Sequence, residues 1–227
     1  LTRGYLSLLD GDELCEWRHL LNYENVVQRL IVLVPSDVEI YYHNVPEIVQ
    51  RKIVEQVAFS SLDFVKCLAP SSVCVVYTAH LTTTERVRLW TEILRQCVLR
   101  TLHIESPICV DFHEGGVLFQ ESASGEHWRA IDEYVELATR FRKSFIQVKY
   151  LSQLETELSY RIREKCPWKI FRFSGAGATG LSKKTQKYAR LMSREHYNLG
   201  YGTLYTVLNT SPTIEEIPEI WKMIPRI

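Results

Sequence analysis

The sequence lacks several features that would assign it at once to a class of protein. Its 227 residues contain no apolar run near the ~18 residues that a membrane span needs. No two of its six cysteines have the Cys-x-x-Cys spacing of zinc ribbons and thioredoxins. The chain opens with Leu and carries no signal peptide, so we expect a fragment of an intracellular protein, cytoplasmic or nuclear, with reduced thiols.

Net charge is also lacking, but the composition is that of a folded domain. Basic and acidic side chains number 27 each, while 46% of residues are hydrophobic and 24% charged. The predicted strands are 26–34, 73–78, 107–112, 144–150, 168–173 and 203–208. The predicted helices are 10–22, 46–59, 82–99, 125–141, 152–166 and 181–196.

This alternation predicts an α/β fold, a three-layer sandwich with a mostly parallel central sheet. No repeat or linker interrupts it, so we expect a single domain over residues 1–211. Residues 212–227 contain three prolines and a small apolar cluster. They are predicted to be a tail that packs on the domain or on a partner.

Basic side chains concentrate between residues 138 and 194. This segment holds fourteen Lys and Arg against three Glu, a local charge of +11 interleaved with aromatic residues. Such a segment is typical of a nucleic-acid surface, and RNA is the expected partner. The alternative is a solvated face whose cations pair with the acidic remainder of the chain. The residues predicted to contact RNA are Arg172, Lys183, Lys184, Lys187 and Arg190.

Three segments in order carry a resemblance to a known family. A predicted strand reaches Asp111 in ICVDFHEGG, and the next strand carries Lys149 in SFIQVKY, 38 residues later. WKIFRF, a small-residue loop and GTLYTVLN follow. This pattern resembles the second half of FtsJ-like RNA ribose 2′-O-methyltransferases. The resemblance implies a Rossmann-like methyltransferase fold, Asp111 and Lys149 as catalytic residues, S-adenosylmethionine as cofactor and the mRNA cap region as partner.

Other parts of that family's site are missing. The cofactor turn would comprise Pro35, Ser36 and Asp37, where the absence of glycine hinders close approach of backbone to a ligand. Residues 4–51, where the family's first catalytic lysine is expected, contain none. We therefore expect a degenerate, non-catalytic methyltransferase-like domain that binds S-adenosylmethionine weakly or not at all. It would support RNA binding or the assembly of a larger cap-modifying enzyme.

Two alternatives stay open. The domain is an active cap ribose 2′-O-methyltransferase that uses Asp111 and Lys149, or it is a protein-interaction module that uses residues 212–227. In the first, the predicted cofactor turn holds S-adenosylmethionine in an unusual way. In the second, another domain or subunit is the partner and RNA is not bound.

Further motifs in the sequence are weaker. Residues 175–180 spell a G-x-G-x-x-G, but too little chain follows for a dinucleotide-binding half, so a glycine loop is expected. A restriction-type nuclease would need an acid where Gln147 stands. No metal site is predicted, because a small group of acidic and histidine residues matches no known ligand spacing. These residues are Asp111, His113, Glu114 and His127.

Overall fold

The computed structural model divides the chain into two compact units. The first comprises residues 1–119 and 123–152, and the second residues 120–122 and 153–227. The single domain expected over 1–211 stays a prediction. The structure describes residues 6–11, 24–39, 53–67, 72–99, 107–166, 168–173, 183, 202–207 and 213–215.

A six-stranded parallel sheet forms the centre of the first unit. Its strands are β1 (Leu6–Gly11), β2 (Leu30–Pro35), β3 (Val54–Val57), β4 (Val73–Tyr77), β5 (Ile108–Phe112) and β6 (Ile146–Tyr150). Their order across the sheet is β3-β2-β4-β1-β5-β6, and every neighbouring pair is parallel. The α/β class with a parallel sheet is therefore confirmed, whereas three layers and a methyltransferase type stay predictions.

Helices connect these strands. They are α1 (Glu24–Val27), α2 (Thr83–Leu99), α3 (Gly115–Leu118) and α4 (Gly125–Ala138), with 3₁₀ turns at Phe64–Cys67 and Phe141–Ser144. Thr82, the first residue of the helix predicted over 82–99, caps α2. The Glu85 N–H donates to Thr82 Oγ1 at 3.4 Å, and the Thr82 N–H donates to the Glu85 carboxylate at 2.8 Å. This reciprocal pair is a capping box, which fixes where the helix begins.

One part of the core lies between β5 and the helices α2 and α4. Ile108, Val110 and Phe112 are buried and alternate with two half-buried residues of β5. The Phe112 ring packs edge-on against Trp90 of α2 and Tyr134 of α4. The distances between ring centroids are 5.1 Å to Trp90 and 6.1 Å to Tyr134. These aromatic contacts fix the face of β5 that bears Phe112 against both helices. The alternate residues of β5 and β6 are therefore left for the opposite face of the sheet.

The second unit contains a separate antiparallel sheet. Helix α5 (Tyr160–Arg163) is followed by β7 (Trp168–Phe173), β8 (Gly202–Val207) and β9 (Thr213–Glu215), in the order β7-β8-β9. In the same unit, Arg163 of α5 forms an ion pair with Glu121, with 3.8 Å between Arg163 Nη2 and Glu121 Oε2. Strand β9 belongs to the segment predicted as a tail, and pairing with β8 gives its first residues a place in the fold.

Three predicted elements are wrong where the structure describes them. Asp10 was expected to start a helix but lies in β1, which pairs with both β4 and β5. Residues 54–57 were expected in a helix, yet they form the edge strand β3 along β2. The long helix expected over 152–166 is reduced to Tyr160–Arg163. In the first two cases long-range strand pairing outweighs a local helical pattern.

Candidate functional site

Asp111 and Lys149 are direct partners across β5 and β6. Because paired residues of parallel strands project to the same face, their side chains meet, and Lys149 Nζ lies 3.8 Å from Asp111 Oδ2. The Asp111 side chain is only 20% exposed, whereas that of Lys149 is 61% exposed. The 38-residue strand–helix–strand interval predicts neighbouring strands, and the ladder confirms that both residues lie near the ends of two such strands.

The Asp111 carboxylate is poorly satisfied for a group so little exposed. Its Oδ1 atom is buried and has no hydrogen-bond partner among the described residues. On the same strand, burial raises the pKa of the Cys109 thiol, while the charge of Lys149 opposes this shift. The arrangement is thus a half-buried ion pair with an unused acceptor, beside a thiol that stays protonated at neutral pH.

The topology places this pair beside the point where the connections between the strands change direction. From β1 the chain continues to β2, toward one edge of the sheet. From β5 it continues to β6, which lies at the opposite edge. In parallel α/β sheets, connections that diverge in this way open a crevice at the carboxyl ends of the two strands. Asp111 lies beside Leu9 of β1 in the ladder, so its backbone lies at this switch point of the strand order.

The predicted cofactor turn lies elsewhere on the sheet. Pro35 ends β2, and β4 and β1 both stand between β2 and β5, so the turn is about 14 Å from β5. The Ser36 N–H already donates to the Val57 carbonyl of β3 at 2.9 Å, while Ser36 and Asp37 are exposed. The structure therefore does not bring Pro35, Ser36 and Asp37 together with Asp111.

The described part of the chain contains no group of three or more His, Cys, Asp or Glu side chains arranged to hold a metal ion. His127, one of the residues weighed as a ligand, instead has its Nδ1 atom 3.3 Å from Thr84 Oγ1. This contact joins the first turns of α2 and α4, so His127 has a structural partner between two helices.

The residues predicted to contact RNA are only partly described. Lys183 is exposed, and the backbone of Arg172 lies opposite Thr203 in the β7–β8 ladder. Lys184, Lys187 and Arg190 lie outside the described residues. Their common surface therefore stays a prediction.

A different group of basic residues is well described, and sequence reasoning did not single it out. Arg140, Arg142 and Lys143 are exposed, and no acidic side chain within the described residues comes within 4.0 Å of their charged groups. We call these three residues the cation cluster. The available sequence signal was that residues 138–152 contain four basic and no acidic side chains.

The 3₁₀ turn explains why the cation cluster faces solvent. Residues three apart lie above one another in a 3₁₀ helix, and here Phe141 and Ser144 are the buried pair. Phe141 packs edge-on against Tyr134 at 5.9 Å, which anchors the turn to α4. Arg142 and Lys143, between the anchors, point outward.

Phe145 follows the turn in an unusual conformation. Its φ of 53° and ψ of 32° are left-handed, and the residue is 69% exposed. Its N–H donates to the Phe141 carbonyl, and its own carbonyl accepts from the Ile108 N–H at 3.0 Å. Both backbone groups are thus engaged while the ring stands in solvent.

No protein-family model matches the chain, and no curated protein matches it. Solved structures align over nearly its whole length at low similarity. The DNA-packaging ATPase B204 of Sulfolobus turreted icosahedral virus is 14% identical over 95% of this chain and 98% of its own, with a TM-score of 0.49. The genome-packaging NTPase B204 of Sulfolobus turreted icosahedral virus 2, in complex with AMP, is 13% identical over 95% of this chain and 98% of its own, with a TM-score of 0.46. The N-terminal domain of zonular occludens toxin from Neisseria meningitidis is 11% identical over 96% of this chain and 96% of its own, with a TM-score of 0.34.

The expected function as a methyltransferase-like, cap-modifying domain, active or degenerate, is wrong. The three similar structures named above are two packaging NTPases and a toxin domain, and none of them is a methyltransferase. The strand order gives a physical reason, since two strands separate the expected cofactor turn from Asp111. The low similarity to those structures is too weak to transfer their activity to this chain.

No helix within the described ranges is long and apolar enough to cross a membrane.

Proposed function

We propose that this protein binds nucleic acid, and that the cation cluster of Arg140, Arg142 and Lys143 contacts the phosphate backbone. The observation that carries the proposal is that these three exposed cations have no carboxylate partner among the described residues. An unpaired cation keeps its full attraction for phosphate, whereas an ion-paired one must first give up its carboxylate.

Other basic side chains of the first unit show the contrast. Lys66 lies 3.7 Å from Asp63, Arg88 lies 3.4 Å from Glu126, and Arg95 pairs with Glu92. These exposed residues illustrate the ordinary solvated ion pairs of a protein surface. Residues 138–152 differ because they hold four basic side chains and no acidic one, and within the described part of the chain Lys149 alone among the four has a carboxylate partner.

The fold also positions the cluster in advance. Arg142 and Lys143 stand on a turn whose neighbours Phe141 and Ser144 are buried, so the backbone that bears the cations is anchored to the core. Anchoring reduces the conformational entropy that is lost on binding. Two cations on a short fixed turn, with a third just before it, suit adjacent phosphates of one strand.

The test measures binding of the full chain to RNA and DNA oligonucleotides, single-stranded and duplex, at two salt concentrations. We expect Arg140→Gln, Arg142→Gln and Lys143→Gln together to weaken binding and to flatten the salt dependence by about two units for a single strand, since each phosphate contact contributes about 0.7. A matched control replaces the paired cations Lys66, Arg88 and Arg95 by Gln.

The control removes the same charge from the same unit. It should leave the salt dependence near that of the wild type, because those cations are already neutralised by carboxylates. Equal weakening by both triple variants would mean that only net charge matters and would contradict the proposal. Absence of binding by the wild type at low salt would contradict it as well.

A further inference from the structure

We infer that the nucleic acid bound here is single-stranded, and that the ring of Phe145 stacks on an unpaired base while the cation cluster holds the adjoining phosphates. The inference rests on the proposed function and adds the class of nucleic acid. It depends on the backbone conformation of Phe145, on the exposure of its ring and on its position directly after the cations.

The conformation of Phe145 is costly and needs a reason. Phe145 is the only residue other than glycine with positive φ among those the structure describes. A left-handed conformation costs a residue with a side chain roughly 1–2 kcal/mol, and glycine avoids this cost. If the position served only to lead the 3₁₀ turn into β6, glycine would fit it better.

The ring does not repay that cost through packing. Phe145 is 69% exposed, more than Trp128 or Tyr160, the other exposed aromatic residues that the structure describes. Its backbone is fixed on both sides, by the Phe141 carbonyl and by the Ile108 N–H. A rigid backbone that holds an aromatic ring in solvent is a prepared stacking surface, and strain of this kind concentrates at functional positions.

The combination of ring and cations selects unpaired bases. In a duplex each base is already stacked between its neighbours, so an aromatic side chain finds a free base face only on a single strand. Proteins that bind single strands join a basic groove to such aromatic platforms, and each stacked base contributes about 1–3 kcal/mol. Arg142 and Lys143 precede Phe145 by two or three residues, so the cations and the ring belong to one short segment of the chain.

The decisive experiment replaces the ring while keeping the backbone. Phe145→Gly and Phe145→Asn both tolerate the left-handed conformation and lack an aromatic ring. We expect each to weaken binding of a single-stranded oligonucleotide about tenfold or more, with little effect on a duplex of the same length. Phe145→Trp should retain single-strand binding, and Trp128→Ala, which removes an exposed ring from α4, should not change it.

Fluorescence anisotropy with both oligonucleotides separates the inference from the proposed function. If the wild type binds neither oligonucleotide, the proposed function fails and the inference fails with it. If the triple cation variant loses binding while Phe145→Gly and Phe145→Asn bind the single strand like the wild type, only the stacking inference is overturned. Thermal unfolding of each variant shows whether it is folded. If Phe145→Gly does not fold, the binding comparison is made with Phe145→Asn.

Discussion

Lys149 and Asp111 face each other across β5 and β6, and the ammonium group stops 3.8 Å from one carboxylate oxygen. This distance permits charge attraction but exceeds a hydrogen bond. The second oxygen, Oδ1, is buried and has no partner among the described residues. The pair therefore combines a solvent-screened attraction with an acceptor that was removed from water without compensation.

Replacing Asp111 by Val should stabilise the protein. The change removes the unsatisfied oxygen and places a β-branched residue in a strand, so the free energy of unfolding should rise by about 1–2 kcal/mol. Lys149→Met serves as the control and should change it by less than about 0.5 kcal/mol, because that side chain is 61% exposed. Chemical denaturation measures both values, and a loss of more than about 1 kcal/mol for Asp111→Val would show that the ion pair stabilises the fold.

Gly115 should not tolerate a side chain. A Cβ atom there would lie 3.0 Å from Tyr150 Cβ and 3.2 Å from the Leu151 carbonyl oxygen. The Gly115 N–H donates to that same carbonyl at 2.7 Å, so the backbone after β6 cannot move away without losing a hydrogen bond. We expect Gly115→Ala to lower the free energy of unfolding by about 1–3 kcal/mol. Gly125→Ala tests strain that comes from the backbone conformation instead of from a close contact. The φ of Gly125 is 58°, which is left-handed, and there is open space around the position of a Cβ atom.

His127 should contribute to a loss of stability in mildly acidic solution. Burial lowers its pKa below the ordinary 6.5, although the backbone of Leu118 opposes the shift. The unfolded chain therefore binds a proton first as the pH falls, and stability decreases from about pH 7 until the folded state is protonated too. Thermal unfolding between pH 7.5 and about 5.5 should show a shallower decline for His127→Gln than for the wild type. Parallel curves would assign the decline to other groups.

The thiols that the structure describes should differ in reactivity. Burial raises the pKa of Cys97 to about 12, and Cys74 is buried as well. Cys109 and Cys166 are only half-buried. Since the thiolate is the reactive form, a disulfide reagent should leave Cys74 and Cys97 unmodified in the folded protein and label them after denaturation. Peptide mapping that found Cys97 labelled at the rate of Cys109 would contradict this expectation.

Local signals determined several elements correctly. The strands at 73–78, 107–112 and 168–173 were predicted within one residue at each end, because short apolar runs with clear boundaries suit strands. Helix α2 was predicted from a sustained apolar period and from the cap at Thr82. The helix predicted over 46–59 is wrong at β3. This edge strand has only four residues, too few for the alternation of apolar and polar residues to identify a strand.

The sequence by itself also determined that Asp111 and Lys149 would meet, because a strand, a helix and a strand in short succession place parallel neighbours side by side. Only the tertiary structure decided which strands lie between β2 and β5, and so removed Pro35, Ser36 and Asp37 from that pair. Strand order is set by pairing between distant segments, and no local pattern encodes it. The same holds for Phe145, since its left-handed backbone is fixed by the Ile108 N–H of a neighbouring strand, 37 residues earlier in the chain.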